Sequence, residues 1–258
     1  MAMIEIDGLA KSFGPVLAVR GVTLNVDKGE VLGFLGPNGA GKSTTMKMLT
    51  GFLTPSEGSA RICGHDVQSD PLPAQTRLGY LPEGAPAYGD MTPRGFLAFC
   101  ASVRGLKGMA AKTAIEIAVQ RTELTRVLDQ PIETLSKGFK RRVGLAQSIL
   151  HDPPVLVMDE PTDGLDPNQK HVVRELIREM SPEKAIIVST HILEEVAAIC
   201  TRAIIIDRGL VVADGPISDG RIVFRTTPEN GEPGEVIADA RHLDDVFRAL
   251  TARQAAAA

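Results

Sequence analysis

The sequence predicts an α/β fold built around a parallel sheet covered on both faces. Three observations predict it. Residues 31–35, 155–158 and 185–189 are short, almost wholly apolar runs, the composition of strands buried on both sides. A helical pattern over 168–180 separates two of them, which is the alternation that gives parallel pairing. Between the first run and a helical pattern opening at Lys42 lies GPNGAGKST, residues 36–44, which fits G-x-x-x-x-G-K-[ST] in the strand-to-helix setting that motif requires.

The elements follow in order. Ile4 and Ile6, then Val22, Leu24 and Val26, alternate with polar residues and are punctuated by Gly8, Gly14, Gly21 and Gly29, so the chain opens with short strands. After the helix from Lys42, residues 51–58 read as a turn and 59–63 as one more strand. From Met91 to Leu150 the pattern is helical, with Phe96, Leu97, Phe99, Cys100 and Val103 on one side and Ala114, Ile117, Ala118 and Arg121 later. This helical insert, about 86–150, splits the α/β core. After Gly215 the composition changes, and Pro216, Pro228, Asn230, Gly231, Pro233 and Gly234 punctuate two weak strands around Val223 and Val236. Leu243, Val246, Phe247 and Leu250 then form an amphipathic stripe suited to packing on the core, and 255–258 should fray. The expected division is 1–215 as the main domain and 216–258 as a short appendage.

At 258 residues and 43% apolar, the chain has ample material for a buried core. Its net charge of −4 gives no electrostatic footprint for nucleic acid, so none is expected as a partner. Cys63, Cys100 and Cys200 are odd in number and widely spaced, which suggests neither a disulfide framework nor a zinc site and fits a reducing, cytoplasmic setting. The start, MAMIEI, lacks a signal peptide's basic and apolar regions, and no run of eighteen apolar residues occurs. If the protein works at a membrane, another polypeptide is expected to span it.

The loop carries the first piece of chemistry. Gly36, Gly39 and Gly41 permit a tight path that turns backbone N–H groups inward, so an anion meets both those donors and the positive end of a helix. Pro37, Asn38, Ala40 and Thr44 complete the loop. Lys42 is placed to reach β- and γ-phosphates, and the Ser43 hydroxyl to ligate Mg²⁺. Downstream, Asp159 and Glu160 sit at the end of the second apolar run, where a parallel sheet presents ligands. Asp159 suits Mg²⁺, and Glu160 suits a water that attacks the γ-phosphate. His191 follows the third run and is expected at the same edge, within reach of the γ-phosphate. Ser136 is a good N-cap for a helix carrying Arg141, Arg142, Val143, Ala146, Ile149 and Leu150, which makes a second anion-binding helix start.

The order of phosphate loop, LSKGF, VLVMDEPTDGLDP and STH resembles the ATP-binding subunit of an ABC transporter, over residues 3–215. That resemblance implies a RecA-like P-loop core with an N-terminal antiparallel β subdomain and an inserted helical subdomain. It implies ATP and Mg²⁺ as cofactors. Two subunits, a second copy or a paralogue, would pair head to tail, with ATP between the phosphate loop of one and the signature segment of the other. By the same resemblance Phe13 stacks on adenine, Ser136 and Gly138 touch the γ-phosphate in trans, Asp166 crosses the interface and Glu83 joins the metal site. Integral membrane permease subunits would dock near 83–99, where Tyr88 and Met91 lie, and would hold the protein at the cytoplasmic face of the bacterial inner membrane.

Three departures from the family pattern matter. Glu83 in GYLPE stands where glutamine is usual, so a neutral ligand becomes an anion that either strengthens Mg²⁺ coordination or adds repulsion near the γ-phosphate. Lys137 and Phe139 replace the first glycine and the terminal glutamine of Leu-Ser-Gly-Gly-Gln, and together with YLPEGAPAYGDMT they resemble the subgroup of gliding-motility and drug or polysaccharide exporters. The tail is short for that subgroup. Two other classes compete: a soluble ABC protein of ribosomes or DNA repair usually carries two cassettes or a long coiled coil, and a P-loop kinase leaves the signature helix unexplained. Hydrolysis is expected to survive the carboxylate at 83, so Glu83→Gln should turn over ATP much as wild type does. A gain of about a hundredfold in steady-state assays would identify Glu83 as a brake.

Overall fold

The computed structural model describes residues 2–218, 221–226 and 234–239; the amphipathic stripe at 243–250 and the tail at 255–258 lie outside them. Strands β1 (Ile4–Phe13) and β2 (Val16–Val26) form an antiparallel hairpin. Next come β3 (Val31–Leu35), α1 (Lys42–Leu49), β4 (Glu57–Ile62), β5 (His65–Asp66), α2 (Pro71–Thr76) and β6 (Leu78–Leu81). The helical insert holds α3 (Pro93–Val103), α4 (Gly108–Arg121) and α5 (Lys137–Ile149). It is followed by β7 (Val155–Asp159), α6 (Pro167–Met180), β8 (Ala185–Thr190), α7 (Leu193–Ile199), β9 (Arg202–Asp207), β10 (Leu210–Ser218), β11 (Arg221–Thr226) and β12 (Gly234–Asp239).

Among the described residues the strands make two sheets. One is antiparallel, in the order β2-β1-β4-β5. The other runs β12-β11-β10-β9-β3-β8-β7-β6, parallel from β9 to β6 and antiparallel beyond β9. Both faces of the parallel part are buried, which is why its strands read as unbroken apolar runs. Successive residues alternate between two cores. Val31, Leu35, Leu156, Met158, Ile186 and Val188 pack with Val143, Ala146 and Ile177 of the helices. Leu32, Phe34, Val155, Val157 and Ile187 pack with Met46 and Leu49 of α1 and with Ile4, Ile6, Val22 and Val26 of the antiparallel sheet. Cutting one of these leucines, isoleucines or methionines back to alanine costs about 2–5 kcal/mol.

The insert differs from the sequence expectation in which faces are buried. In α3, Thr92 caps the start by accepting from the Gly95 N–H, and Phe96, Leu97 and Ala101 face the core. Phe99 and Val103, expected on that same side, are 45% and 68% exposed. The apolar surface of α3 is wider than one stripe, so its far flank borders a groove rather than the core. In α4 the buried residues are Ala118 and Val119, while Ile117 is exposed. Gly79 lets α5 lie directly on β6, since a Cβ there would sit 2.1 Å from the Ser148 carbonyl oxygen. The composition change at Gly215 falls inside β10, which continues through it to Ser218 and pairs with β11. Among the described residues no helix is long and apolar enough to cross a membrane.

His151, just beyond α5, reaches the Leu78 carbonyl oxygen at 3.2 Å through Nε2, while its Nδ1 is buried without a partner among the described residues. Burial, aided by the Arg104 charge, pushes its pKa down from 6.5 to about 4. The folded state therefore favours the neutral ring, and unfolding takes up a proton between these two values. The contribution is complete above pH 6.5 and is lost as the pH falls towards about 4. The urea midpoint is expected to drop across that window, and less steeply in His151→Phe. Identical slopes would remove His151 from the acid response.

Candidate active site

The site lies where β3, β7 and β8 end side by side. Register pairs Leu35 with Thr190, and Asp159 with Ser189, so the residues that follow, Gly36, Glu160 and His191, leave the sheet along one edge. Gly36 begins the loop because nothing larger fits: a Cβ there would stand 2.4 Å from the Ile206 carbonyl oxygen. The Ala40 N–H donates to the Pro37 oxygen at 3.1 Å, and the Gly209 N–H donates to the Ala40 oxygen at 2.9 Å, anchoring the loop to the β9–β10 turn. Gly41, at φ 105°, hands the chain to α1.

Lys42 is buried and donates from Nζ to the carbonyl oxygens of Gly36 at 2.7 Å and Pro37 at 3.2 Å. Desolvation lowers its pKa, while Glu160, Asp159 and Glu83 act in the opposite direction. A cavity of about 310 Å³ opens above it, lined by Asn38, Gly39, Gly41, Lys42, Ser43, Thr44, Glu83, Glu160 and Ala18 of β2. Asp159 is fully buried. Its Oδ1 accepts from the Ser189 hydroxyl, and its Oδ2 is buried with no partner among the described residues. A carboxylate oxygen left bare beside a hydroxyl-bearing loop is a donor set of hard oxygens, and Mg²⁺ with nucleotide phosphates fits it. The residues able to hold that ion are Asp159 and Ser43, with Glu83 at the cavity wall.

Glu160 has φ 52°, a region a side-chain-bearing residue enters at a cost. Its N–H donates to the Ser189 oxygen at 3.0 Å, and its carbonyl oxygen accepts from the Arg141 guanidinium. Its Oε1 lies 2.8 Å from His191 Nδ1. Burial raises the Glu160 pKa, opposed by the hydrogen bond and charge of His191 and by Lys42. A carboxylate so placed, with a tunable hydrogen-bond partner and raised basicity, can take a proton from a bound water.

The other expected site residues lie outside this cavity. Phe13 ends β1, 49% exposed, with Lys11 Nζ 5.4 Å from its ring. Ser136 caps α5 by accepting from the Phe139 N–H, and Asp166 caps α6 by accepting from Gln169 N–H at 2.9 Å. A Cβ on Gly138 would meet Gln169 Oε1 at 2.4 Å, so these two helix starts touch. Phe139 packs beneath Arg142, whose guanidinium carbon is 4.3 Å from the ring centre. Three participants escaped the sequence reading: Ser189, Ala18 and above all Arg141. Ser189 had a signal, a hydroxyl at the end of an otherwise apolar run.

Residues 19–163 match the family described as ABC transporter. The Nod factor export ATP-binding protein I of Burkholderia lata is 38% identical over 216 residues, spanning 83% of this chain and 71% of that protein. A solved structure described as the ATP-binding subunit of an ABC transporter superposes with a TM-score of 0.78 at 31% identity, covering 84% of this chain and 91% of the other. A dimeric ATP-binding cassette captured after hydrolysis with ADP and Pi shares the fold at a TM-score of 0.77 and 22% identity, over 84% of this chain and 99% of that one.

The close approach at Gly36 makes a sharp test of the loop. Gly36→Ala is expected to push the loop off the Ile206 carbonyl and weaken ATP binding by at least about tenfold, with an unchanged far-ultraviolet dichroism spectrum. Wild-type affinity in equilibrium binding would show that the loop tolerates the displacement.

Proposed function

This chain belongs to the ABC transporter family as an ATP-binding, ATP-hydrolysing subunit of exporter type, and from that premise we propose that two copies close around two ATP·Mg²⁺ and drive a separately encoded membrane permease in the direction of export. One observation carries the reading. Ser136 and Gly138, which begin α5, do not line the cavity that holds the phosphate loop, Glu83 and Glu160. Ser136 is exposed at this second helix start, with Gly138 buried just behind it, and a partner's nucleotide gives the helix start a ligand.

In this reading the loop N–H groups of 36–44 hold the phosphates, and Lys42 exchanges its carbonyl partners for β- and γ-phosphate oxygens. Ser43, Asp159 and Glu83 hold Mg²⁺, which when bound neutralises charge on those oxygens. Glu160 takes the proton of the attacking water. His191 orients that carboxylate now and reports on the γ-phosphate when ATP is bound. Phe13 stacks on adenine, Ser136 and Gly138 bind the partner's γ-phosphate, and Asp166 meets the partner across the interface. Hydrolysis removes the shared phosphate contacts and releases the pair.

The division of labour we propose keeps 1–215 as the ATPase, with 86–150 as its helical subdomain and 216–258 as an appendage. The permease docks where that subdomain meets the core. A groove of about 550 Å³ lies there, lined by Phe52, Leu72, Tyr80, Phe99, Val103 and Arg104 among others. Tyr88, 55% exposed, makes edge-on contact with Phe99 of that lining at 5.7 Å and with Phe96 at 6.2 Å between ring centres. Docking there places the protein at the cytoplasmic face of the cell membrane. Export follows the relative's role in Nod factor export.

Glu160→Gln is expected to lose about a hundredfold or more in ATP hydrolysis while keeping ATP affinity, and to sediment as a dimer only with ATP·Mg²⁺. Purified from its own cells, it should bring a multi-span membrane protein with it. A variant that stayed monomeric at saturating ATP·Mg²⁺ would exclude the paired mechanism, and ribosomal or DNA-repair proteins in its place would move the chain to the soluble branch.

A further inference from the structure

Arg141 is a cation folded into the protein beneath the site. It sits in the second turn of α5, only 4% exposed. Its guanidinium donates from Nη1 to the Pro82 carbonyl oxygen at 3.1 Å, and from Nη2 to the carbonyl oxygens of Asp159 at 3.0 Å and of Glu160. Among the described residues no carboxylate is paired to it through a hydrogen bond, although Asp163, Asp159, Glu160 and Glu83 all surround it closely enough to favour its charge. A buried charge is costly unless it is paired or hydrogen-bonded. Here its three acceptors are all main-chain oxygens, and each belongs to a residue beside or within the reacting set.

We propose that Arg141 is a positioning residue for hydrolysis, holding the Glu160 and Pro82 carbonyls from α5 so that the Glu160 and Glu83 side chains address one cavity. Two features make Glu160 dependent on such a hold. Its φ of 52° stands in a region that the surrounding contacts must enforce. Its N–H is fixed by the Ser189 oxygen and its carbonyl by Arg141, so the peptide units on both sides of the Glu160 Cα are held. Pro82 directly precedes Glu83, and the same guanidinium therefore ties both carboxylate-bearing segments together. The planar fork of arginine can reach three acceptors at fixed angles, which a lysine ammonium on its flexible stem does not reproduce. The inference rests on Glu160 being the base of the proposed reaction.

The test compares wild type, Arg141→Lys, Arg141→Gln and Glu160→Gln as full chains, measuring steady-state hydrolysis and equilibrium ATP·Mg²⁺ affinity. Arg141→Gln is expected to lower kcat by about tenfold or more with Kd within about threefold, and Arg141→Lys to fall between it and wild type. A residue that merely supports the fold would lower affinity together with rate. A kcat within about twofold of wild type in folded Arg141→Gln overturns the proposal, as does a Kd that weakens in step with kcat. Should Arg141→Gln not fold, Arg141→Lys decides by the same criteria. Glu160→Gln separates the two layers: if it hydrolyses ATP like wild type, the role of Glu160 falls, whereas an inactive Glu160→Gln beside fully active Arg141 variants removes Arg141 alone.

Discussion

The pairing of β8 between β3 and β7 is the constraint on which the rest of the site depends. Because all three strands are parallel and in fixed register, Gly36 and His191 leave the sheet at one level and Glu160 one residue before it. Register is held by burial on both faces. A slip of one residue would exchange the two cores, moving Leu35 and Met158 to the side now filled by Phe34 and Val157. Each apolar pair along these strands therefore acts on the site, although none touches it. This is also why a strand end is a good place for costly groups: the backbone bonds of the ladder stop there, and the freed N–H and carbonyl groups become available to loops and ligands.

What sits on that edge is electrically unbalanced in a useful way. Glu83, Asp159 and Glu160 all face the Lys42 amine, which spends its hydrogen bonds on the carbonyls of Gly36 and Pro37. Asp159 keeps one oxygen without a partner among the described residues, and Glu160 carries a raised pKa. Such an arrangement is poor as a purely structural core, because a bare buried carboxylate oxygen costs free energy and a raised pKa reports an uncompensated desolvation. It becomes reasonable if a ligand completes it with cations and hydrogen-bond donors. The family's ATP chemistry is of that kind.

Much of this was legible before any coordinates. The phosphate loop is a local pattern of fixed spacing, and Asp159, Glu160 and His191 are found by the rule that parallel strands present ligands at their carboxyl ends. Other features were not. Helical periodicity marks Phe96 through Val103 as apolar but cannot say which flank meets the core, and the flank bearing Phe99 and Val103 meets a groove instead. Glycine and proline near 215 read as a boundary, yet β10 runs through them, since Gly215 is needed where a Cβ would stand 2.0 Å from the Val223 carbonyl oxygen. Arg141 was the hardest. Its acceptors lie 59, 18 and 19 residues away, and nothing in the helix pattern distinguishes a basic residue on the solvent face from one turned inward to main-chain oxygens.

Arg141 also alters how the two ends of α5 are to be understood. Ser136 is exposed at its start, and Arg141 is buried beneath Glu160, five residues on. At a rise of about 1.5 Å per residue they stand roughly 7.5 Å apart along one rigid helix. In the closed pair proposed above, the first turn of that helix meets the partner's γ-phosphate while the second holds the main chain of its own catalytic carboxylate. A stiff element gripping both cannot tilt at one end without loading the other, because the Pro82, Asp159 and Glu160 carbonyls all converge on the same guanidinium. The physical link between two nucleotides then needs no long relay of side chains.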